Sequence, residues 1–277
     1  MLRFTKAHAY GNDFIYVRED AVEGASLNEL ARELCDRHTG IGADGLVAFE
    51  PTPDGASMRL FNADGSRAEV SGNGVRALGA LLMRPDAGSG ADTDGVTIHT
   101  EAGPKRLTRV SGSELNGARQ TFRTAMGLPH DLRQTRVSAG GETLEIAVMN
   151  FGNPQAVLLG PLPDPERFTR LGSTLEHHGM FPAGTNIEFA QVDGPQSVRI
   201  LIWERGVGPT LSSGTGSCAA LVAAAAFGGA SRNADVIAPG GAQRVEWRDD
   251  SVYLTGWAEI LFDGEWWRPL GIARGLA

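Results

Sequence analysis

A chain of 277 residues has room for one large domain or two ordinary ones and buries a sizeable core. With 25 Lys+Arg against 33 Asp+Glu its formal charge is −8, which disfavours non-specific binding to nucleic acid or to an anionic membrane and points to a small ligand. Its two cysteines make neither a disulfide framework nor a metal cluster.

The opening MLRFTKAHAYGNDFIYV alternates and breaks at Gly11, so it lacks the unbroken apolar core of a signal peptide. No apolar run approaches the ~18 residues that span a bilayer, and a cytoplasmic location is expected. In LNELARELCDRHTG, Leu27, Leu30, Ala31, Leu34 and Cys35 follow helical spacing and Gly40 offers a stop. This predicts a helix over 27–38 with Cys35 as a buried small hydrophobe. Further helices are expected at 73–83, 164–178 and 215–227. Short strands are expected in MLRFTKAH, DGLVAFE, GVTIHT, TLEIAVMN, AVLLG, TNIEFAQV, SVRILIWE and SVYLTGWAEILF, where β-branched or alternating apolar residues recur. The glycine- and aspartate-rich segments 85–95 and 110–120 read as turns, the second as a boundary.

An internal repeat runs through this order. SGNG at 71–74 returns as SGTG at 213–216, an offset of 142. Gly11-Asn12 matches Gly152-Asn153 at 141, Gly42-Ala43-Asp44 matches Gly184-Thr185-Asn186 at 142, and Asn62 matches Glu204 at 142. In both places an apolar strand leads through a loop to the SGxG phrase and then a helix. The expected fold is therefore α/β (α+β), a duplicated unit with two pseudo-symmetric halves, each a strand-rich sheet curled around a central helix. The N-terminal half is expected to be 1–115, with 265–277 returning to it, and the C-terminal half 116–264.

A helix start exposes unpaired N–H groups and the positive end of the helix dipole, so it suits a carboxylate or phosphate, and glycines there let a ligand approach the backbone. A single SGxG also reads as a plain N-cap serine followed by glycines. Two copies at a matched offset, each preceded by a matched polar residue, favour a pair of anion nests on either side of one ligand, with Ser71 and Ser213 addressing opposite faces of one carbon. GVGPTLSSGTG lacks the Gly-Lys-Ser/Thr ending of a phosphate loop, and no G-x-S-x-G elbow is present. Lys6 and Lys105 are the only lysines, and neither sits in a glycine-rich context suited to a pyridoxal Schiff base.

These phrases resemble the diaminopimelate epimerase family over nearly the whole chain. The likeness rests on FTKAHAYGNDF, RHTGIGADGL, FNADGSRAEVSGNGVRALG, FGNPQAV, FPAGTNIEF, WERGVGPTLSSGTGSCAA and APGG, in that order. The resemblance implies two pseudo-symmetric α/β halves, a homodimer, no cofactor, and inversion of the α-carbon of diaminopimelate on the route to lysine and peptidoglycan. It makes Asn12, Asn62, Asn153 and Asn186 substrate contacts, sets Glu204 and Arg205 near the distal amino and carboxylate groups, and gives the α-carboxylate to backbone around Gly72-Asn73 and Gly214-Thr215. A guanidinium fork suits a carboxylate and Glu suits an ammonium. Taken singly, each asparagine reads equally as a turn residue satisfying local backbone.

The catalytic positions depart from the family, which uses a cysteine at each of the positions that are Ser71 and Ser213 here. A thiol starts near pKa ~8.5 and a helix start or nearby cation brings it to about 7 or lower. Granting serine the acidity of tyrosine, about 10, still leaves ~3 units, or ~10³ in rate. Gln155, Pro209 and Trp257 also differ from the residues usual in the family. Three functions stay open on these residues: an amino-acid epimerase, an amino-acid-binding protein without turnover, and a related-fold dehydratase or double-bond isomerase using hydroxyls.

Overall fold

The structure is a computed structural model that describes residues 1–68, 71–84, 94–110 and 118–267. The chain divides into two compact units, Met1–Thr124 with Trp257–Ala277, and Ala125–Gly256. The expected boundary near residue 115 and most of the expected turn at 85–95 lie outside the described residues.

Unit 1 holds β1 (Leu2–Ala9), β2 (Asn12–Arg18), α1 (Leu27–Cys35), β3 (Gly45–Thr52), β4 (Gly55–Asn62), β5 (Arg67–Ala68), α2 (Gly72–Leu82), β6 (Gly95–Thr100), β7 (Gly103–Arg109) and β8 (Arg119–Ala125), whose last residue belongs to unit 2. Pairing runs β1–β2 antiparallel, β2–β3 parallel, β3–β4 and β4–β5 antiparallel, β4–β6 parallel, then β6–β7 and β7–β8 antiparallel. Alternation along β2 divides the core. Phe14 and Tyr16 join Val75, Leu78 and Leu81 of α2, whereas Ile15 and Val17 join Leu27, Leu30 and Leu34 of α1. Cys35 is buried with the α1 group, and burial pushes its thiol up to about 12, so it packs as an apolar residue.

Unit 2 holds β9 (His130–Ala139), β10 (Glu142–Asn150), β11 (Pro154–Leu159), α3 (Pro165–Glu176), β12 (Asn186–Gly194), β13 (Ser197–Glu204), β14 (Gly208–Thr210), α4 (Gly214–Phe227), β15 (Asn233–Ala238), β16 (Gly241–Trp247) and the start of β17 (Val252–Trp266). From β10 onward the pairing repeats the order of unit 1: β10–β11 antiparallel, β11–β12 parallel, β12–β13 and β13–β14 antiparallel, β13–β15 parallel, β15–β16 and β16–β17 antiparallel. Beyond Gly256, β17 pairs with β1 through Glu259–Trp266. GTGSCAALVAAAAF is small and apolar all round, as a helix enclosed on every side requires, and Cys218 through Ala224 are fully buried. On the other face Leu171 and Leu175 of α3 pack with Ile187, Phe189 and Trp203.

The chain forms β2, β5, β7, β8, β9, β14, β15 and β16 where no strand was expected. In HDLRQTRVSA only Val137 and Ala139 are buried, so cross-strand pairing with β10 holds β9 in place without an apolar stripe to announce it.

A charge cluster ties the ends of β1, β2 and β3 together. The Lys6 ammonium lies 2.6 Å from Asp13 and also donates to the Gly42 carbonyl, while Arg37 lies 2.7 Å from Asp13 and 2.8 Å from Asp44. Burial alone would raise the Asp13 pKa, but hydrogen bonds from Arg37 and Lys6 outweigh it and hold the carboxyl at about 2.

Two outcomes follow from these contacts. The depressed Asp13 pKa stabilises the fold above the unfolded-state value near 3.9, and that contribution drains away as pH falls through about 2. Asp13→Asn should cost about 3–5 kcal/mol at neutral pH, because it strands buried Lys6, and should remove this part of the acid sensitivity in urea titrations between pH 2 and 5. Gly172 allows α3 to approach Trp203, where a Cβ would stand 2.6 Å from the indole. Gly172→Ala, worth a gain of up to about 1 kcal/mol on an open helix, should instead lower stability by about 1 kcal/mol or more in chemical denaturation.

Candidate functional site

Each SGxG phrase caps a helix in the same way. Ser71 is extended at φ −127°, ψ 122°, and its Oγ accepts the Gly74 N–H at 3.2 Å. Ser213 sits at φ −136°, ψ 131°, and its Oγ accepts the Gly216 N–H at 3.2 Å. The serines are thus true N-caps, each holding an oxygen at the positive end of a helix. The glycines differ in their surroundings. A Cβ on Gly72 would meet nothing within 4 Å, so the α2 tip is open to a ligand, whereas one on Gly214 would stand 3.2 Å from Leu254.

In unit 1, Asn12 and Asn73 meet beside the Ser71 cap. Asn12 shares strand parity with Phe14 and Tyr16, which places it on the α2 side. Its Nδ2 donates to Asp44 Oδ2 at 2.7 Å, so its carbonyl oxygen is left to accept from Asn73 Nδ2 at 3.4 Å. Buried Asn73 in turn accepts from Arg76 Nη1 at 3.2 Å, and the Tyr16 hydroxyl donates to the Gly74 carbonyl at 2.8 Å. Asn62 ends β4 opposite Gly45 of β3, on the same side as Leu60. Its amide donates to Ser66 Oγ at 2.9 Å, closing the turn into β5, so it does the local work of a turn residue.

In unit 2 the matching residues gather around the α4 tip. Asn153 donates to Thr215 Oγ1 at 3.4 Å and accepts from Gln155 at 2.8 Å. Asn186 accepts the Arg205 backbone N–H at 2.9 Å and donates to the Pro154 carbonyl at 3.3 Å, fixing the end of β13. Burial raises the Glu204 pKa, and the Ser213 hydroxyl pulls it back down in part. Arg205 is exposed, and its Nη1 donates to the Ala183 carbonyl at 3.1 Å.

Several residues that position the site were not singled out as site residues, although Asp44 lies in the matched Gly42-Ala43-Asp44 phrase. Asp44 orients Asn12. Glu176 at the end of α3 accepts from Trp203 Nε1 and from the Gly206 N–H, both at 2.7 Å, and so pins the turn that carries Glu204 and Arg205. Burial works against its charge, but these two bonds prevail and its pKa is lowered. Glu188 is fully buried on β12. These acids lie far apart in the chain from the residues they serve, and only pairing and packing unite them. Among the described residues no histidine is hydrogen-bonded to either serine; His8 instead accepts from Gly11 N–H at 3.2 Å and stands edge-on to Trp257.

Comparisons with known proteins address the family and the fold. The family profile described as diaminopimelate epimerase matches residues 4–115 and 147–261. A diaminopimelate epimerase of Desulforudis audaxviator is 40% identical, with 96% of this chain and 100% of that protein covered. The chloroplastic diaminopimelate epimerase of Oryza sativa subsp. japonica is 37% identical over 95% of this chain and 79% of its own length. Among solved structures, a hydroxyproline epimerase from Agrobacterium vitis superposes with a TM-score of 0.67 at 16% identity, covering 95% of this chain and 91% of that one. A phenazine biosynthesis protein of Bacillus anthracis gives 0.65 at 15% identity, covering 96% and 99%. At such identities the two structures speak for the fold alone, whereas the full-length sequence relatives settle the family: the chain belongs to the diaminopimelate epimerase family.

Proposed function

We propose that the chain inverts the α-carbon of diaminopimelate by proton transfer without a cofactor, with hydroxyls at the two positions where the family resemblance places cysteines. The observation that carries this reading is the pair of serine-capped helix starts, alike in backbone angles and in cap bond, within a chain whose relatives at 37–40% identity bear the epimerase name. The Gly72 and Gly214 starts offer backbone N–H groups to a carboxylate. Asn12, Asn73, Asn153 and Thr215 border those starts and supply amide and hydroxyl contacts for the amino-acid backbone of the substrate. Exposed Arg205 suits a distal carboxylate.

The two half-reactions divide between the serines. One takes the α-proton as the carbon becomes a carbanion, its charge spread onto the α-carboxylate held at a helix start, and the other returns a proton. A serine hydroxyl is a far weaker base than a thiolate, so the rate falls while binding persists. The family reading also carries a homodimer.

The chain should exchange the α-hydrogen of diaminopimelate with deuterated solvent slowly, and Ser71→Cys with Ser213→Cys should raise that exchange by about 10³. Nuclear magnetic resonance of the substrate follows the exchange directly. Binding in calorimetry without exchange in either version would leave an amino-acid-binding protein. Loss of water from a substrate, seen by mass spectrometry, would move the chain to the dehydratases. Light scattering on the purified protein checks the dimer.

A further inference from the structure

In unit 1 the turn that delivers Asn12 is strained and closely held. Ala9 of β1 faces Asn12 of β2, so Tyr10 and Gly11 are the two residues of the hairpin turn between them. Both have positive φ, 55° at Tyr10 and 86° at Gly11, as the tightest hairpin turns require. Glycine takes such an angle freely, whereas a bulky side chain is strained by it. The Tyr10 side chain is buried, and its neighbours fix it. Its ring centroid lies 4.4 Å from that of Trp257, its hydroxyl oxygen accepts the Trp257 backbone N–H at 3.1 Å, and the Arg76 guanidinium stands 5.8 Å from its centroid. Strained residues persist only where their surroundings fix them, and they gather where position matters to function.

The turn ends in Asn12, whose Nδ2 is committed to Asp44 and whose carbonyl oxygen accepts from Asn73 beside the Ser71 cap. His8 closes the same turn from β1. Its Nδ1 accepts the Gly11 N–H at 3.2 Å. An imidazole nitrogen accepts only when it carries no proton, so this bond exists with neutral His8, protonated at Nε2, and is lost in the imidazolium.

The His8 ring stands edge-on to Trp257, centroids 5.4 Å apart. Charged groups face it from each neighbouring strand: Glu259 of β17 and Asp13 of β2, both paired with it across the sheet, Arg119 of β8, and Lys6 of β1. Arg119 is bound to Glu259 at 2.6 Å and lies 4.4 Å from the Trp257 ring. Burial is the largest influence and lowers the His8 pKa; Glu259 and Asp13 oppose it, while Arg119 and Lys6 push the same way as burial. His8 is therefore neutral at pH 7 and takes up a proton only below its ordinary value near 6.5.

We propose that neutral His8 is a positioning residue for substrate binding: it locks the strained Tyr10-Gly11 turn that presents the Asn12 amide, and its protonation unlocks that turn and weakens binding. The inference rests on the reading of Asn12 as a substrate contact given under Proposed function. His8 acts through the turn and exchanges no proton with the substrate. An amide oxygen standing where Nδ1 stands accepts the same N–H without titrating, which asparagine offers at this position and leucine does not. By linkage, a ligand that needs the locked turn lowers the His8 pKa further.

The full-length serine chain tests this by calorimetry with diaminopimelate between about pH 7.5 and 4.5, beside nuclear magnetic resonance titration of the His8 ring and the Gly11 amide. Over that span the affinity of the parent should fall by about fivefold more than that of His8→Asn, as the loss of one hydrogen bond implies. At the upper pH His8→Asn should bind as the parent does, and His8→Leu should bind about fivefold more weakly. Without ligand, the Gly11 amide resonance should follow the His8 titration in the parent and stay still in His8→Asn. Saturating diaminopimelate should lower the His8 pKa. The asparagine variant carries the test alone should the leucine variant not fold.

Binding that depends on pH equally in the parent and in His8→Asn would overturn the proposal and leave the ligand reading standing. Absence of binding in every version would overturn the ligand reading and, with it, the role of His8 in binding. In that case the Gly11 amide, which needs no ligand, still decides the lock: a resonance indifferent to the His8 titration refutes it.

Discussion

A helix must begin somewhere, and its first turn leaves N–H groups that the helix cannot satisfy itself. In this protein both helices enclosed by a strand-rich unit begin at an extended serine whose Oγ takes the N–H three residues on. That one constraint places a hydroxyl oxygen, a run of glycines and a positive dipole at the same spot in each unit. The position of every amide around it follows from where the strands deliver their ends. The atom that caps each helix is the atom to which the proposed mechanism assigns the proton transfer.

The two units use one order of strand pairing to build unlike surroundings for that atom. Around α2 the wall is made of amides with buried Arg76 donating to Asn73, and a further cluster of Lys6, Asp13, Arg37 and Asp44 orients Asn12 through Asp44. Around α4 the wall contains acids: Glu204 on the strand face turned toward α4 and Glu188 beneath its first turn. Charge in the cluster of the first unit is paired and hydrogen-bonded. Unpaired carboxyl in the second is costly unless it stays protonated, and a cost retained in a buried wall is a reason to look for chemistry there.

Helical spacing identified all four α-helices among the described residues, because a 3.6-residue period or a uniformly small apolar composition is visible in a window of a dozen residues. The strands divided by burial. Those with one apolar face, such as Gly45–Thr52 and Ser197–Glu204, were legible, whereas His130–Ala139 and Arg119–Ala125 were not, since charged residues fill their outward positions and tertiary pairing alone defines them. The site was partly legible. Matched offsets singled out Ser71, Ser213, Asn12, Asn153, Asn186 and Glu204, and these border the two caps or the strand ends beside them. Asn62 behaves locally as the turn residue that its type also allowed.

By itself the sequence determined the duplicated order of elements, the family, and the serine that opens each SGxG phrase, because each of these is carried by residue identity and spacing along the chain. Only the tertiary structure decided that Asp44 orients Asn12, that Glu176 pins the Glu204–Arg205 turn, and that Glu188 lies buried and unpartnered against Gly216. Those relations join residues on different strands and helices, and a side chain's burial and charge are properties of what surrounds it. No pattern within a single segment records them.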